Sequence, residues 1–406
     1  MSARTYLLAG GAFAVGTSAY VVSGVLPSVS ADLNISLSAA GQLATAFALS
    51  YAVGAPVLAS LTGSWDRRAL LFAALLVAGM GNLLAALAPN YPLLLAARVI
   101  AAFGAAVYTP AATLFATAML PPEERGRAVA RVFGGLTFAL VLGVPAGTML
   151  DGQIGYRGVF GLIALICVAF AVALWLLLPR LAAPAPVRFR ERFAVAADRR
   201  VLTVLAVTVF GVLSTMSVYT YAVPLLTATT GATGATIGVL LLVYGAGALL
   251  GNVLGGRATD RFGIMPTMLV ATAGFVTMVA TLPLTASTVL GAGLALFAWS
   301  AFSWAFNPPV QNLLIELSDG SGLLLSLNAS AIYFGAGLSG VVGGVVVSVA
   351  GVRLLPVVAA GLGVVVVLLV LVLRRLIRAG ATAPSAEPVP VGRKPVACSC
   401  PTAGPS

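Results

Sequence analysis

Residues 93–110 read "LLLAARVIAAFGAAVYTP" and hold one charge, Arg98, among Leu, Ala, Val, Ile, Phe and Gly. Eighteen such residues are nearly enough to cross a bilayer as a helix. The rest of the chain supports that reading. Of 406 residues 60% are hydrophobic and only 8% are charged, against roughly 25% charged in soluble domains. A soluble domain cannot hide that much apolar surface, whereas a membrane protein has lipid for solvent. The first apolar segment, 5–28, is full length and more follow, so it reads as a membrane helix and not as a cleaved leader.

Apolar stretches of about 20 residues separated by Gly, Pro and charge fall at 5–28, 39–61, 68–88, 92–118, 127–150, 156–179, 201–227, 234–256, 264–284, 287–314, 323–349 and 353–376. The expected fold is an all-α membrane protein with twelve transmembrane helices and both termini cytoplasmic. Of the 22 Lys and Arg, only Arg157 and Arg353 then fall on the outer side, a pronounced positive-inside bias. Arg98 alone lies in the interior of a span, away from either membrane face. The net charge of +11 therefore belongs to loops at a membrane surface and implies no nucleic-acid partner.

The longest break, "PRLAAPAPVRFRERFAVAADRR" (179–200), divides the chain into six-helix halves, 1–180 and 201–378, joined by a cytoplasmic linker at 181–200. Residues 379–406, rich in Pro, Ala and Ser, are expected to form a disordered cytoplasmic tail. No histidine is present, and the three cysteines (Cys167, Cys398, Cys400) make no disulfide framework or zinc spacing. No cofactor, no metal and no enzymatic site are expected.

The halves repeat a short cytoplasmic turn after their second span. The first has "TGSWDRRALL" with Asp66 and Arg67; the second has "GGRATDRFGIMP" with Gly256, Asp260, Arg261 and Gly263. Internal repeats of this sort characterise secondary transporters whose halves rock about a central site. Over 1–378 the chain resembles the major facilitator superfamily, in its twelve-helix drug:proton antiporter group. The second turn fits that family's G-x-x-x-D-R-x-G fully; in the first, Thr62 and Ala69 stand in place of glycines. Arg98 and Gly104 fit the fourth-span motif, with Ala101 and Ala102 replacing its polar residue and first glycine. "GGLTFALVLGVPAG" in the fifth span, with Gly134, Gly143, Pro145 and Gly147, resembles the motif of exporters. Its V-P-A-G ending, and "SLNASAIYFGAGLSGVVGG" in the eleventh span, are similar to the chloramphenicol- and arabinose-type efflux branch.

The resemblance implies a transporter exporting a small, fairly apolar compound (a chloramphenicol-like drug or a sugar-like metabolite) by alternating access in exchange for protons. It would act as a monomer in the cytoplasmic membrane. An uncoupled facilitator of an endogenous metabolite is the alternative. Asp66, Arg67, Asp260 and Arg261 are expected to latch the halves at the cytoplasmic face. Missing side chains at Gly134, Gly143 and Gly147 let a neighbour approach, and Pro145 bends the helix. Tyr20, Tyr108, Tyr219, Trp304, Asn307, Gln311 and Asn328 are candidates for an apolar, aromatic cavity with a few hydrogen-bonding groups.

Related exporters often carry an acid in the first span within "GTSEF"; here "GTSAY" puts Ala19 in that place. No acid lies mid-span, which leaves Asp151, at the outer end of the fifth span, and Glu316, at the inner end of the tenth, as coupling candidates. Arg98 then has no visible counter-ion. Three roles stay open for it: bonding neighbouring carbonyls, supporting the rocking step or a proton relay, or attracting an anionic substrate.

Overall fold

The computed structural model describes residues 3–119, 125–181, 198–317 and 323–381. The expected linker at 181–200 and tail at 379–406 lie largely outside these residues. Every regular element described is helical: α1 (Ala3–Tyr20), α2 (Val22–Asp32), α3 (Leu37–Leu61), α4 (Arg67–Leu87), α5 (Tyr91–Ala118), α6 (Arg125–Phe138), a π-turn (Ala139–Gly143) and α7 (Val144–Leu177) in the first half. The second half has α8 (Arg199–Tyr219), α9 (Ala222–Thr230), α10 (Ala235–Phe262), α11 (Ile264–Thr285), α12 (Val289–Ala305), α13 (Asn307–Leu317), α14 (Leu323–Ala350), a 3₁₀ turn (Val352–Leu354) and α15 (Leu355–Ala381). Helix dominates because lipid offers backbone groups no other partner.

Ten helices are individually long and apolar enough to cross a membrane, and α1 with α2 make a further span bent by 44°. One of the ten runs over 130–177, 48 residues, about 70 Å of helix at 1.5 Å per residue. That is more than two bilayer cores thick. It divides at Gly155, whose φ of 66° and ψ of 166° are not helical. Splitting it there gives the fifth and sixth spans and accords with twelve.

Local chemistry sets the boundaries. Ser36, Asp66, Asn90, Asp198 and Thr288 each accept a backbone N–H in the first turn of the following helix. Gly263, the glycine of the second repeat turn, takes φ +88° and joins α10 directly to α11. At the outer surface Asp32 accepts from Tyr156 (2.9 Å) and Arg157 (3.0 Å), while Arg157 also donates to the Ala88 carbonyl (2.6 Å). The outer ends of the first, third and sixth spans are thereby pinned together.

Within each half, small residues bring helices close. Gly81 lies on Ala101 and Gly104 on Ala78, joining α4 to α5. Gly247, Gly251 and Gly255, four apart, lie on Phe297, Ala301 and Ala305 and join α10 to α12. Between the halves α3 lies antiparallel along α14. Ser38 and Gln42 meet Gly344, Thr45 meets Gly340 and Leu49 meets Gly337. The glycine run of the eleventh span is thus an inter-half surface. These contacts run from the outer end to the middle of the membrane, and α2 packs on α9 at the same outer end. The structure is closed on its outer side.

Candidate transport pathway

Aromatic side chains gather where the halves meet at mid-depth. Tyr51 of α3 and Tyr333 of α14 stack across the halves with centroids 3.5 Å apart and planes 17° from parallel. Tyr219 lies 4.7 Å from Tyr244, and Tyr244 meets Trp299 edge-on at 5.0 Å. Tyr20, the last residue of α1 and partly exposed, is within electrostatic reach of Tyr51, Tyr219, Tyr244 and Tyr333. Trp304, also partly exposed, stands just before the break at Phe306 that separates α12 from α13. Asn307 opens α13 half-buried, with Gln311 exposed one turn on. The ring-lined zone is phenol and indole throughout, polar at its hydroxyls and N–H groups and apolar elsewhere.

Two of the expected cavity residues sit elsewhere. Tyr108 is fully buried and donates to the Leu8 carbonyl at 2.9 Å, its ring edge against Gly11. It fastens α5 to α1 and does not open on a cavity. Asn328 is 4% exposed and accepts from Thr208 at 2.7 Å, a clasp between α14 and α8. Tyr51, which the sequence reading left out, joins the zone together with Tyr333 and Trp299. They carry the same aromatic signal, and only the packing sorts them from Tyr108.

Arg98 has zero exposure. Its Nη2 donates to the Ser18 carbonyl at 2.8 Å, and its Nη1 to the Ser18 hydroxyl at 3.4 Å. The carbonyl lies at the end of α1, where the 44° bend before α2 opens the helical ladder. Ser18 in turn donates to Asn82 Oδ1 at 3.0 Å, and Asn82 to the Ala78 carbonyl at 2.8 Å. The guanidinium faces are covered by Phe47 (4.5 Å) and Phe160 (5.5 Å), ring quadrupoles favourable to a desolvated cation. Five helices, α1, α3, α4, α5 and α7, thus meet around one charge. No carboxylate pairs with it among the described residues.

The fifth span lies between the first span and the other half. A Cβ on Gly143 would meet the Thr17 hydroxyl, one on Gly147 would lie 2.5 Å from Val21, and Gly24 faces Thr148. The residue numbers rise together, so the seam is parallel. Gly134 is a correction: a Cβ there meets nothing, and its neighbour Gly135 is the one pressed on the Ala9 carbonyl. At Pro145 the helical register shifts. The π-turn before it carries the Val144 N–H to Ala139, five residues back, so the missing N–H of Pro145 is absorbed by one extra residue in the turn. On the opposite face Gly245 of α10 lies against Val141 and the Leu140 carbonyl, and Gly238 against Met149.

Asp66 caps its own helix through the Ala69 N–H (2.9 Å), and the Arg67 N–H bonds the Leu181 carbonyl at 3.3 Å. Asp260 and Glu316, both exposed, line one cavity of about 440 Å³ at the cytoplasmic end of the second half. Arg261 lies over Phe262 at 5.2 Å. In this arrangement Asp66 bonds within its own helix, and no ion pair joins the two acid–base turns among the described residues. Asp151 differs from these acids: it is half-buried, Ser28 of α2 donates to its Oδ2, and its Oδ1 is buried without a donor.

A family description, Major Facilitator Superfamily, matches residues 8–318 and, overlapping them, 205–398. The chain belongs to that superfamily. It is 36% identical over 343 residues to "Uncharacterized MFS-type transporter YbcL" of Bacillus subtilis, covering 83% of this chain and 88% of that one. It is 30% identical over 372 residues to a "Chloramphenicol resistance protein" of Streptomyces lividans, covering 90% and 94%. A D-xylose-proton symporter of known structure superposes with a TM-score of 0.70 over 90% of this chain and 96% of the other at 18% identity, a likeness of fold. This superfamily member is a multi-pass membrane transporter with relatives in the drug-efflux branch.

Proposed function

We propose that the protein exports a small, neutral, fairly apolar compound across the cytoplasmic membrane, as a monomer, by alternating access between its two six-helix halves. The observation carrying this reading is the aromatic zone at mid-depth between the halves, in which Tyr20 and Tyr333 are partly exposed, Tyr51, Tyr219 and Tyr244 pack behind them, and no carboxylate of the described residues lies among them. Such a zone suits an uncharged ring compound and offers a cation ring faces but no carboxylate. A relative named for chloramphenicol resistance is in keeping with it.

Rocking needs a surface along which the halves slide without leaking. The fifth span supports that role, because it presents small residues to the first span on one face and meets Gly238 and Gly245 of the other half on the opposite face. The repeat-turn residues Asp66, Arg67, Asp260 and Arg261 would form the cytoplasmic latch when the outer side opens, releasing the bonds they make here. Proton exchange drives export in this reading, with Asp151 carrying the proton. A facilitator is the second reading, favoured by the absence of any acid at mid-span.

Proteoliposomes loaded with chloramphenicol, with and without an imposed pH gradient, test both. Uphill movement that needs the gradient supports the antiporter. Movement that only equilibrates supports the facilitator, and no movement of any neutral aromatic probe removes the proposed substrate class.

A further inference from the structure

Two arginines face the outer side, where the positive-inside rule leaves few. Arg157 is accounted for by Asp32 at 3.0 Å. Arg353 is not. It sits exposed on the 3₁₀ turn, one Nη2 donating to the Ala228 carbonyl at 2.6 Å, and no carboxylate pairs with it among the described residues. A guanidinium has five N–H donors, so most of its capacity stays open.

Beside Arg353 opens a cavity of about 210 Å³ between the outer ends of α9, α11, α12 and α15. Its rim carries Arg353, Thr229 and Ser287, and its depth is walled by Leu226, Leu296 and Trp299. The rim hydroxyls are already committed, Thr229 to the Leu225 carbonyl (2.9 Å) and Ser287 to that of Leu284 (3.4 Å). The unmet polar capacity at the mouth is therefore cationic. Trp299 lies ten residues inside the outer end of α12, a depth of about 15 Å at 1.5 Å per residue. The cavity is charged at its mouth and walled at depth by aliphatic and indole surface, with the Trp299 Nε1–H buried without a partner among the described residues.

We propose that this cavity binds an anionic amphiphile with a single apolar chain, of the fatty-acid type, its carboxylate on Arg353 and its chain running down to Trp299. The site shares Trp299 with the transport zone and lies behind it, the Trp299 ring meeting Tyr244. A ligand here would bear on the wall that faces the transported compound.

The test uses the full-length protein in nanodiscs of zwitterionic phosphatidylcholine, titrated with ω-bromodecanoate, whose bromine quenches a tryptophan it touches. Wild type is expected to show saturable quenching that is lost in Trp299→Phe. Affinity should drop about tenfold in Arg353→Gln, the worth of one charge-assisted bond, and Arg353→Lys should restore part of it. The uncharged ω-bromodecanol should bind wild type about tenfold more weakly for the same reason. Ala286→Phe, which fills the cavity from its wall, should abolish quenching while transport of the neutral probe continues. Quenching that rises without saturation, or that is the same in Arg353→Gln, or that survives Ala286→Phe, would mean partition into lipid and would overturn the site.

Discussion

Arg98 is tied to Ser18 through the backbone carbonyl and not chiefly through the hydroxyl: the contacts are 2.8 Å and 3.4 Å. The geometry favours the first of the three roles left open by the sequence, a bond that closes the gap in the ladder where α1 bends into α2. Removing one side of it leaves a buried carbonyl without a donor, at a cost of about 1–3 kcal/mol. Arg98→Met, which keeps the volume between Phe47 and Phe160, should lower thermal stability in detergent by that amount and slow transport with it. Ser18→Ala keeps the carbonyl that holds Arg98 but strands the buried Asn82 Oδ1, and should cost a comparable amount, about 1–3 kcal/mol, while leaving the guanidinium in place. Were Arg98 instead an attractor for anionic substrates, Arg98→Met would leave stability intact and shift only substrate preference.

The glycines of the fifth span make a sharper comparison, because the structure separates residues that the motif groups. A Cβ at Gly134 meets no atom, so Gly134→Ala should be neutral or should stabilise the helix by up to about 1 kcal/mol. A Cβ at Gly245, in the facing helix of the other half, would come 2.5 Å from Val141 Cα, a backbone atom that cannot step aside. Gly245→Ala should therefore slow transport severalfold while costing little stability, since it spreads two halves that fold on their own contacts. Paired efflux rates and melting curves for the two variants check this. Equal effects would remove the claim that the seam between the fifth span and α10 governs motion.

Most of the architecture was legible in the sequence because lipid enforces it. Each crossing needs an uninterrupted apolar helix, so span positions and the side of each arginine can be read from composition. The internal breaks were not legible. Val21, where the first span bends, is an ordinary helix residue, and the nearby Gly24 and Pro27 lie inside α2. Gly155 is one of four glycines within ten residues, and nothing in the sequence says which of them turns. Gly134 and Gly135 are neighbours about 100° apart around a helix, so motif spacing chose one while packing uses the other. Tyr108 and Asn328 show the same limit for side chains. A polar group in an apolar span must find a partner, and whether that partner is a substrate or an adjacent carbonyl depends on rotation about the helix axis. The partner of Arg98 was hidden for a related reason: it is a backbone carbonyl, which every residue has.

Asp151 and Glu316 were offered together as coupling residues, and their surroundings now separate them. Glu316 is exposed on a cytoplasmic cavity. Asp151 has one oxygen bonded by Ser28 and the other buried with no donor, so the protein leaves its carboxyl group only half satisfied. Asp151→Asn, isosteric and fixed in the neutral form, should abolish uphill efflux under a pH gradient while leaving downhill equilibration near the wild-type rate. Glu316→Gln should retain both. The opposite pattern would assign coupling to the cytoplasmic acid and leave Asp151 as a packing residue.

The outer closure can be locked by a bond of known geometry. A Cβ built on Gly344 lies 2.8 Å from the Ser38 Oγ, across the two halves. A disulfide has its sulfurs about 2.05 Å apart and its Cβ atoms about 3.8 Å apart, so Ser38→Cys with Gly344→Cys is close to bonding distance in this state. Opening the outer side must draw α3 away from α14 at this end, since Gln42 also gives up its 3.2 Å bond to the Gly340 carbonyl. In a background lacking Cys398 and Cys400, oxidation of the double variant should form the bridge readily and stop efflux, and a reductant should restore it. Each single variant should be unaffected by oxidant. A bridge that forms fully while efflux continues would show that α3 and α14 do not part at their outer ends during transport, and alternating access about this surface would have to be given up.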